Sequence, residues 1–293
     1  MLYILLTITI SVLLLLIFKA FQKYGVNSLV AIVVNYITAG VTGILFLNSD
    51  ININAILQSD WIFICLPLGV LFISIFYLIA LTTQKISISA ASVANKMSVI
   101  MPVLYSLIFL GQQLSVLKLA GIALAMLAVY LSTRSSKKDN TVNAALIWLP
   151  VLVFIGSGLI DIAINAANAF YIKSKNESAL FSICTFLSAF VVGVIILMYM
   201  VVVKRSLTLK QLVMPKNITG GVLLGIPNYF SIFFIFKSLD ANVLQSAQLF
   251  PVLNLSNVAL SAFLGWLVFK EKLSMVNLAG IVLAIISILL ISF

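Results

Sequence analysis

The chain contains no histidine, only two cysteines and only seven acidic residues among 293. Without histidine there is no His-containing catalytic triad, no HExxH zinc site and no His-ligated haem. Cys65 and Cys184 each sit alone in an apolar run, so neither a disulfide framework nor a CxxC metal site is available. No metal or cofactor is therefore expected. An enzyme would also need an acid–base or nucleophile constellation that this composition withholds, and with no P-loop there is no site for ATP hydrolysis. Charged residues make up 8% of the chain, against roughly 25% in soluble domains. What is present instead is hydrophobic: 63% of residues, with a mean hydropathy of +1.25. A water-facing surface cannot be built from that, and the chain reads as an all-α, polytopic integral membrane protein. The net charge of +10 would suit nucleic acid. The basic residues, however, fall singly or in short clusters between apolar runs, the pattern of loops facing anionic lipid. Membrane lipids are the expected partners, and nucleic acid is not.

A membrane-spanning helix needs ~20 mostly apolar residues. The polar breaks divide the chain into ten such segments, roughly 2–22, 28–47, 61–82, 87–110, 115–133, 145–170, 178–203, 218–238, 242–268 and 274–292. The first has neither a basic leader nor a small-residue cleavage site, and reads as a retained helix. The one conspicuous linker is polar and charged, from Ser132 to Asn143, near the middle of the chain.

The two sides of that linker repeat. Leu119–Ala125 (LAGIALA) returns as Leu278–Ala284 (LAGIVLA), six of seven residues identical at an offset of 159. The same offset pairs Leu114-Ser115 with Leu273-Ser274, and Asn95 with Asn254. Five segments is an odd number, so the second copy must enter the membrane from the opposite side. The expected organisation is a first five-helix repeat over 1–133, a linker over 134–144 and a second, inverted five-helix repeat over 145–293. That is the architecture of secondary transporters, with a solute site near midplane.

Two junctions carry a family resemblance: Gly111-Gln112-Gln113-Leu114-Ser115 followed by Gly121, and Lys270-Glu271-Lys272-Leu273-Ser274 followed by Gly280. With Ala80-Leu81, Pro102 and Lys19, they make the whole chain resemble the EamA-type permeases of the drug/metabolite transporter superfamily. Gln112 stands where that family has glutamate, and Lys270 where it has glycine. The resemblance implies a ten-helix permease of a bacterial cytoplasmic (inner) membrane, with both termini inside. Loop charge points the other way: placing the termini outside puts twelve basic residues in cytoplasmic segments and four in external ones. The orientation stays open between the two.

Charge at bilayer depth is costly unless it faces a cavity, so deep ionisable residues are functional candidates. Two qualify: Lys96 in the fourth segment and Asp161 in the sixth. Asp161, Asn165 and Asn168 fall at i, i+4 and i+7, on one helical face. Ser89, Ser92 and Lys96 share a face of the fourth segment, with Asn95 beside them. Asn254, Asn257 and Ser261 line the ninth, preceded by Gln245 and Gln248. Tyr77 in the third segment, and Asn228 and Tyr229 in the eighth, supply aromatic and hydrogen-bonding walls beside Pro227. Asparagines in membrane helices also serve simply to bond neighbouring helices. Asp161 can be a proton carrier in a desolvated site, the counter-ion of Lys96, or a peripheral residue. Gly221 and Gly225, like Gly40 and Gly43, read as close-packing positions. The fifth and tenth segments carry few polar residues and read as peripheral or dimer-facing, so a homodimer is possible.

The expectation is a secondary transporter of a small polar metabolite such as an amino acid, working by alternating access. Asp161 would couple a proton, with Lys96, Asn95, Asn165, Asn168, Asn254, Asn257, Tyr77, Asn228 and Tyr229 holding the solute. A lipid-headgroup flippase and an uncoupled channel or facilitator are the alternatives.

Overall fold

The computed structural model describes residues 2–47, 52–101, 116–133, 146–172, 174–241 and 246–292. The linker over 134–144 and the first junction, Gly111–Ser115, lie outside them, as do Pro102 and Gln245. Among the described residues all regular structure is helical: α1 (Leu2–Tyr24), α2 (Ser28–Leu45), α3 (Ile53–Leu57), α4 (Ile62–Lys85), α5 (Ile88–Met97), α6 (Val116–Thr133), α7 (Trp148–Phe170), α8 (Lys175–Val202), α9 (Leu209–Leu212), α10 (Pro215–Asp240), α11 (Ser246–Phe269) and α12 (Met275–Ser292).

Local chemistry sets the boundaries. The Asn27 side chain accepts from the Leu29 and Val30 amides and so starts α2, while Ser87 does the same for α5 through the Ala90 amide. Thr208 and Gln211 form a reciprocal capping box at α9. Gly25, at φ +62°, makes the tight reversal between α1 and α2.

Among the described residues six helical segments are long and apolar enough to cross a membrane: Leu2–Tyr24, Ser28–Leu45, Ile62–Lys85, Asn176–Val202, Leu209–Ile235 and Val252–Phe269. Shorter apolar stretches occupy Ala120–Leu131, Trp148–Ile164 and Met275–Leu290. Large apolar side chains stand exposed on these helices, Phe63 at 82% and Met275 at 84%. A surface of that kind suits hydrocarbon. The fourth segment departs from the single helix expected over 87–110. α5 ends at Met97, and a turn follows at Ser98–Val99. At this turn the Ser98 hydroxyl bonds back to the Asn95 carbonyl at 2.6 Å. The Ser98 carbonyl takes the Met101 amide at 2.8 Å.

The helices form two compact units: residues 1–19, 78–161 and 230–293 in one, 20–77 and 162–229 in the other. Each draws segments from both sides of the sequence repeat.

In the first unit, α6 and α12 pack along their length. Ser287 donates to the Gly121 carbonyl at 2.8 Å, and Asn277 to the Leu131 carbonyl at 3.2 Å. Ten residues forward on α6 correspond to ten residues back on α12, so the two helices run antiparallel. In this register Leu124 and Ala125 stand opposite Ala284 and Leu283, the same two positions one repeat apart. These are the fifth and tenth segments, expected to be peripheral or dimer-facing. Each finds its partner in the other, because the small residues of the repeated LAGI stretch permit close approach.

In the second unit, Tyr36 is fully buried between Phe72, Phe76 and Phe186, with ring centroids 5.7–6.4 Å away. Nearby Cys65 is buried and Cys184 half-buried, and both are free thiols. Here α10 lies directly on α2: a Cβ on Gly225 would sit 2.6 Å from Thr38 Cβ and 2.7 Å from the Asn35 carbonyl. Only glycine allows that approach.

Candidate functional site

The first unit contains Asp161, Lys96, Asn95, Asn254 and Asn257. Asp161 lies near the middle of α7, one turn after Gly158. A Cβ at Gly158 would collide with the Met101 side chain and come within 3.2 Å of the Ser98 carbonyl. The missing side chain lets the turn after α5 close onto α7. The Ser98 hydroxyl thereby reaches Asp161 Oδ2 at 3.1 Å. The same hydroxyl lies 2.6 Å from the Asn95 carbonyl. It has one proton for two acceptors, so the direction of the Ser98–Asp161 bond depends on whether the carboxyl is ionised. An ionised Asp161 accepts from Ser98; a protonated one can donate to it.

Lys96 is partly buried two residues before Ser98, close enough for its charge to act on Asp161. The two make no direct ion pair: among the described residues the only pair within 4.0 Å is Lys19–Glu271. Three buried polar atoms of this unit, Ser89 Oγ, Ser157 Oγ and Asn257 Oδ1, have no partner among the described residues. An orphan of this kind costs about 1–3 kcal/mol. Ser89 and Ser92 lie one turn apart on α5, and Ser92 donates to the Asn257 backbone carbonyl at 3.4 Å. Ser89 on α5 and Asn257 on α11 therefore leave hydrogen-bonding capacity unused among the described residues. Asn254, one turn before Asn257, is half-buried on the same helix.

A second polar cluster in this unit involves residues that the sequence presented only as junction marks. Lys19 Nζ lies 3.3 Å from Glu271 Oε1, with the side chains only 17% and 9% exposed. Lys19 also donates to the Thr83 carbonyl at the end of α4, at 3.0 Å. The Glu271 carboxylate accepts the Ile88 amide, the first of α5, at 3.0 and 3.2 Å. A carboxylate at a helix N-terminus is favoured by the helix dipole as well. A Cβ at Gly265 would stand 2.8 Å from Glu271 Oε2, so that glycine clears the space the carboxylate fills. The Lys-Glu-Lys-Leu-Ser motif was visible in the sequence, but Glu271's partner lies 183 residues away.

The remaining expected residues sit elsewhere. Tyr77, Asn228 and Tyr229 belong to the second unit. Asn228 is buried and donates to Asn35 Oδ1 at 3.1 Å, an interhelical amide pair. The Tyr229 ring lies beside Phe46 with centroids 6.1 Å apart, and Tyr77 is half-buried on α4. Asn165 and Asn168 fall on α7, but their side chains, like that of Gln248, lie outside the described residues.

Comparison with known proteins adds the fold. The chain is 27% identical over 290 residues to an uncharacterised protein of Haemophilus influenzae, covering 97% of this chain and 94% of that one. It superposes on a solved crystal structure with a TM-score of 0.56 at 15% identity, over 97% of each chain. No family model matches.

Proposed function

We propose that this chain is a proton-coupled secondary transporter of a small polar metabolite, an amino acid or related compound. We read it as an EamA-type permease of the drug/metabolite transporter superfamily in a bacterial inner membrane. The observation that carries the proposal is Asp161, held by Ser98 where α5 breaks off and influenced by the charge of Lys96 without a salt bridge. A carboxyl locked in an ion pair keeps its charge; one held by a two-way hydroxyl can gain and lose a proton. Asn257 and Asn254, with Lys96 and Asn95, offer a solute the amide and ammonium contacts that buried orphans leave open. The antiparallel packing of the repeat-related α6 and α12 supports ten helices in two inverted five-helix repeats. So does the meeting at Glu271, just after α11, of the end of α1 through Lys19 and the start of α5 through Ile88, ends that an alternating topology puts on one side. Alternating access, with the solute site reached from each side in turn, is the mechanism this arrangement favours.

The test is transport by purified protein in liposomes. Counterflow of labelled amino acids identifies the solute, and an imposed proton gradient then drives its uptake. Asp161→Asn should keep counterflow exchange and lose accumulation against a gradient. If Asp161→Asn still concentrates the solute, proton coupling through this residue is wrong.

A further inference from the structure

The turn between α11 and α12 combines features that the transport reading does not use. It borders an open groove of about 640 Å³ lined by Trp266, Leu267, Lys270, Glu271, Lys272, Leu273 and Leu278. Trp266, Leu267 and Leu278 are 56%, 54% and 47% exposed, a continuous apolar wall at a helix end. Tryptophan and lysine at such a place mark the membrane–water interface.

The charge in the groove is unbalanced. Glu271 faces it, but its carboxylate is taken by Lys19 and the Ile88 amide. Lys270 and Lys272 are both exposed, and among the described residues neither has a carboxylate within ion-pair distance. Lys270 also occupies a left-handed backbone conformation, φ +52°, while the Glu271 amide returns to the Gly265 carbonyl at 3.1 Å. Helix-ending reversals of this kind normally take glycine, so a lysine is kept here against its backbone preference. That is the position where the sequence departs from the glycine of the family it resembles.

We propose that this groove binds an anionic phospholipid. The headgroup phosphate lies between Lys270 and Lys272, and an acyl chain runs along Trp266, Leu267 and Leu278. Basic pockets at helix ends, flanked by lipid-facing apolar surface, suit such headgroups. This site is independent of the transport reading, because it uses none of Asp161, Lys96 or the asparagines.

The experiment compares melting temperatures of the full-length protein in bilayers of phosphatidylcholine with and without phosphatidylglycerol, and in phosphatidylcholine with added inorganic phosphate. Phosphatidylglycerol should raise the melting temperature by about 3–6 °C, and inorganic phosphate should not. The Lys270→Gln/Lys272→Gln variant should melt normally in phosphatidylcholine and lose that increment. Lys270→Gly should melt higher than wild type in phosphatidylcholine, its backbone relaxed, yet gain less from phosphatidylglycerol. Lys23→Gln, an exposed lysine on α1, should keep the full increment. Equal melting in both lipids, an increment that survives the double variant, or one reproduced by inorganic phosphate would each overturn the proposal.

Discussion

The two units each bury a polar pair between helices, and the pairs are unlike. Asn35 and Asn228 in the second unit are neutral and bonded to each other at 3.1 Å, against the backbone contact of Gly225. Asp161 and Ser98 in the first unit join an ionisable group to a hydroxyl with two acceptors, near a lysine and one turn from the orphaned Ser157 hydroxyl. A satisfied amide pair holds helices together and has no second state to offer. The first unit's cluster has protons and hydrogen bonds to redistribute. The two pairs differ in satisfaction: the amide pair is closed, while the carboxyl shares a hydroxyl with a backbone carbonyl; the second unit's own orphan among the described residues, the Tyr36 hydroxyl, lies among aromatic rings instead.

The sharpest way to break this comparison is to neutralise each pair in turn. Asp161→Asn should reduce gradient-driven accumulation to the level of empty liposomes, whereas Asn228→Ala should leave it standing. If both variants lose coupling equally, the contrast between the units is false. Next in size is the buried ion pair. Glu271→Ala leaves Lys19 without its carboxylate and the Ile88 amide without its acceptor, and should destabilise the protein by about 3 kcal/mol. Reversible unfolding in mixed micelles measures this, and a double-mutant cycle with Lys19→Met should show the two effects to be strongly non-additive. Gly225→Val forces α10 off α2, with an expected cost of about 2 kcal/mol by the same assay. Asn228→Ala removes one interhelical hydrogen bond and should cost about 1 kcal/mol. Ser287→Ala on α12 should be smallest, about 0.6 kcal/mol; a loss as large as that of Gly225→Val would give the α6–α12 contact more weight than its small residues suggest.

Much of the helix plan was legible because apolar runs and polar breaks report directly on crossing length. A described helix lies in each of the ten apolar segments. That Gly221 and Gly225 mark a close helix approach was readable from their spacing; that the partner is α2 was not. The break in α5 was not, since residues 87–110 remain apolar enough for one helix. The turn at Ser98–Val99 is closed by the Met101 amide on the Ser98 carbonyl, a local contact that hydropathy does not report. Lys96 and Asp161 stood out because charge at depth is conspicuous. Ser98 pairs with Asn257 at the repeat offset of 159, but its contact with Asp161 was not readable: that rests on Gly158, 60 positions away in the chain, which lets two segments touch. For a similar reason, Lys19 and Glu271 stood out only as marks of the family resemblance. Hydropathy along a sequence says how deep a residue sits but not which distant residue meets it there.

The Ile88–Glu271 contact also dictates an order of assembly. The amide that begins α5 is capped by a carboxylate synthesised 183 residues later. At ~5–20 residues per second of chain growth, α5 spends roughly 10–40 s in the nascent protein without its final cap. Until then its first turn relies on Ser87, which binds the Ala90 amide at 3.0 Å. A chain stopped before residue 271 would hold both the deep lysine and the deep acid, yet leave Ile88 uncapped and Lys19 facing no carboxylate. Such a fragment offers exposed, half-satisfied polar surface to the quality-control proteases of the membrane.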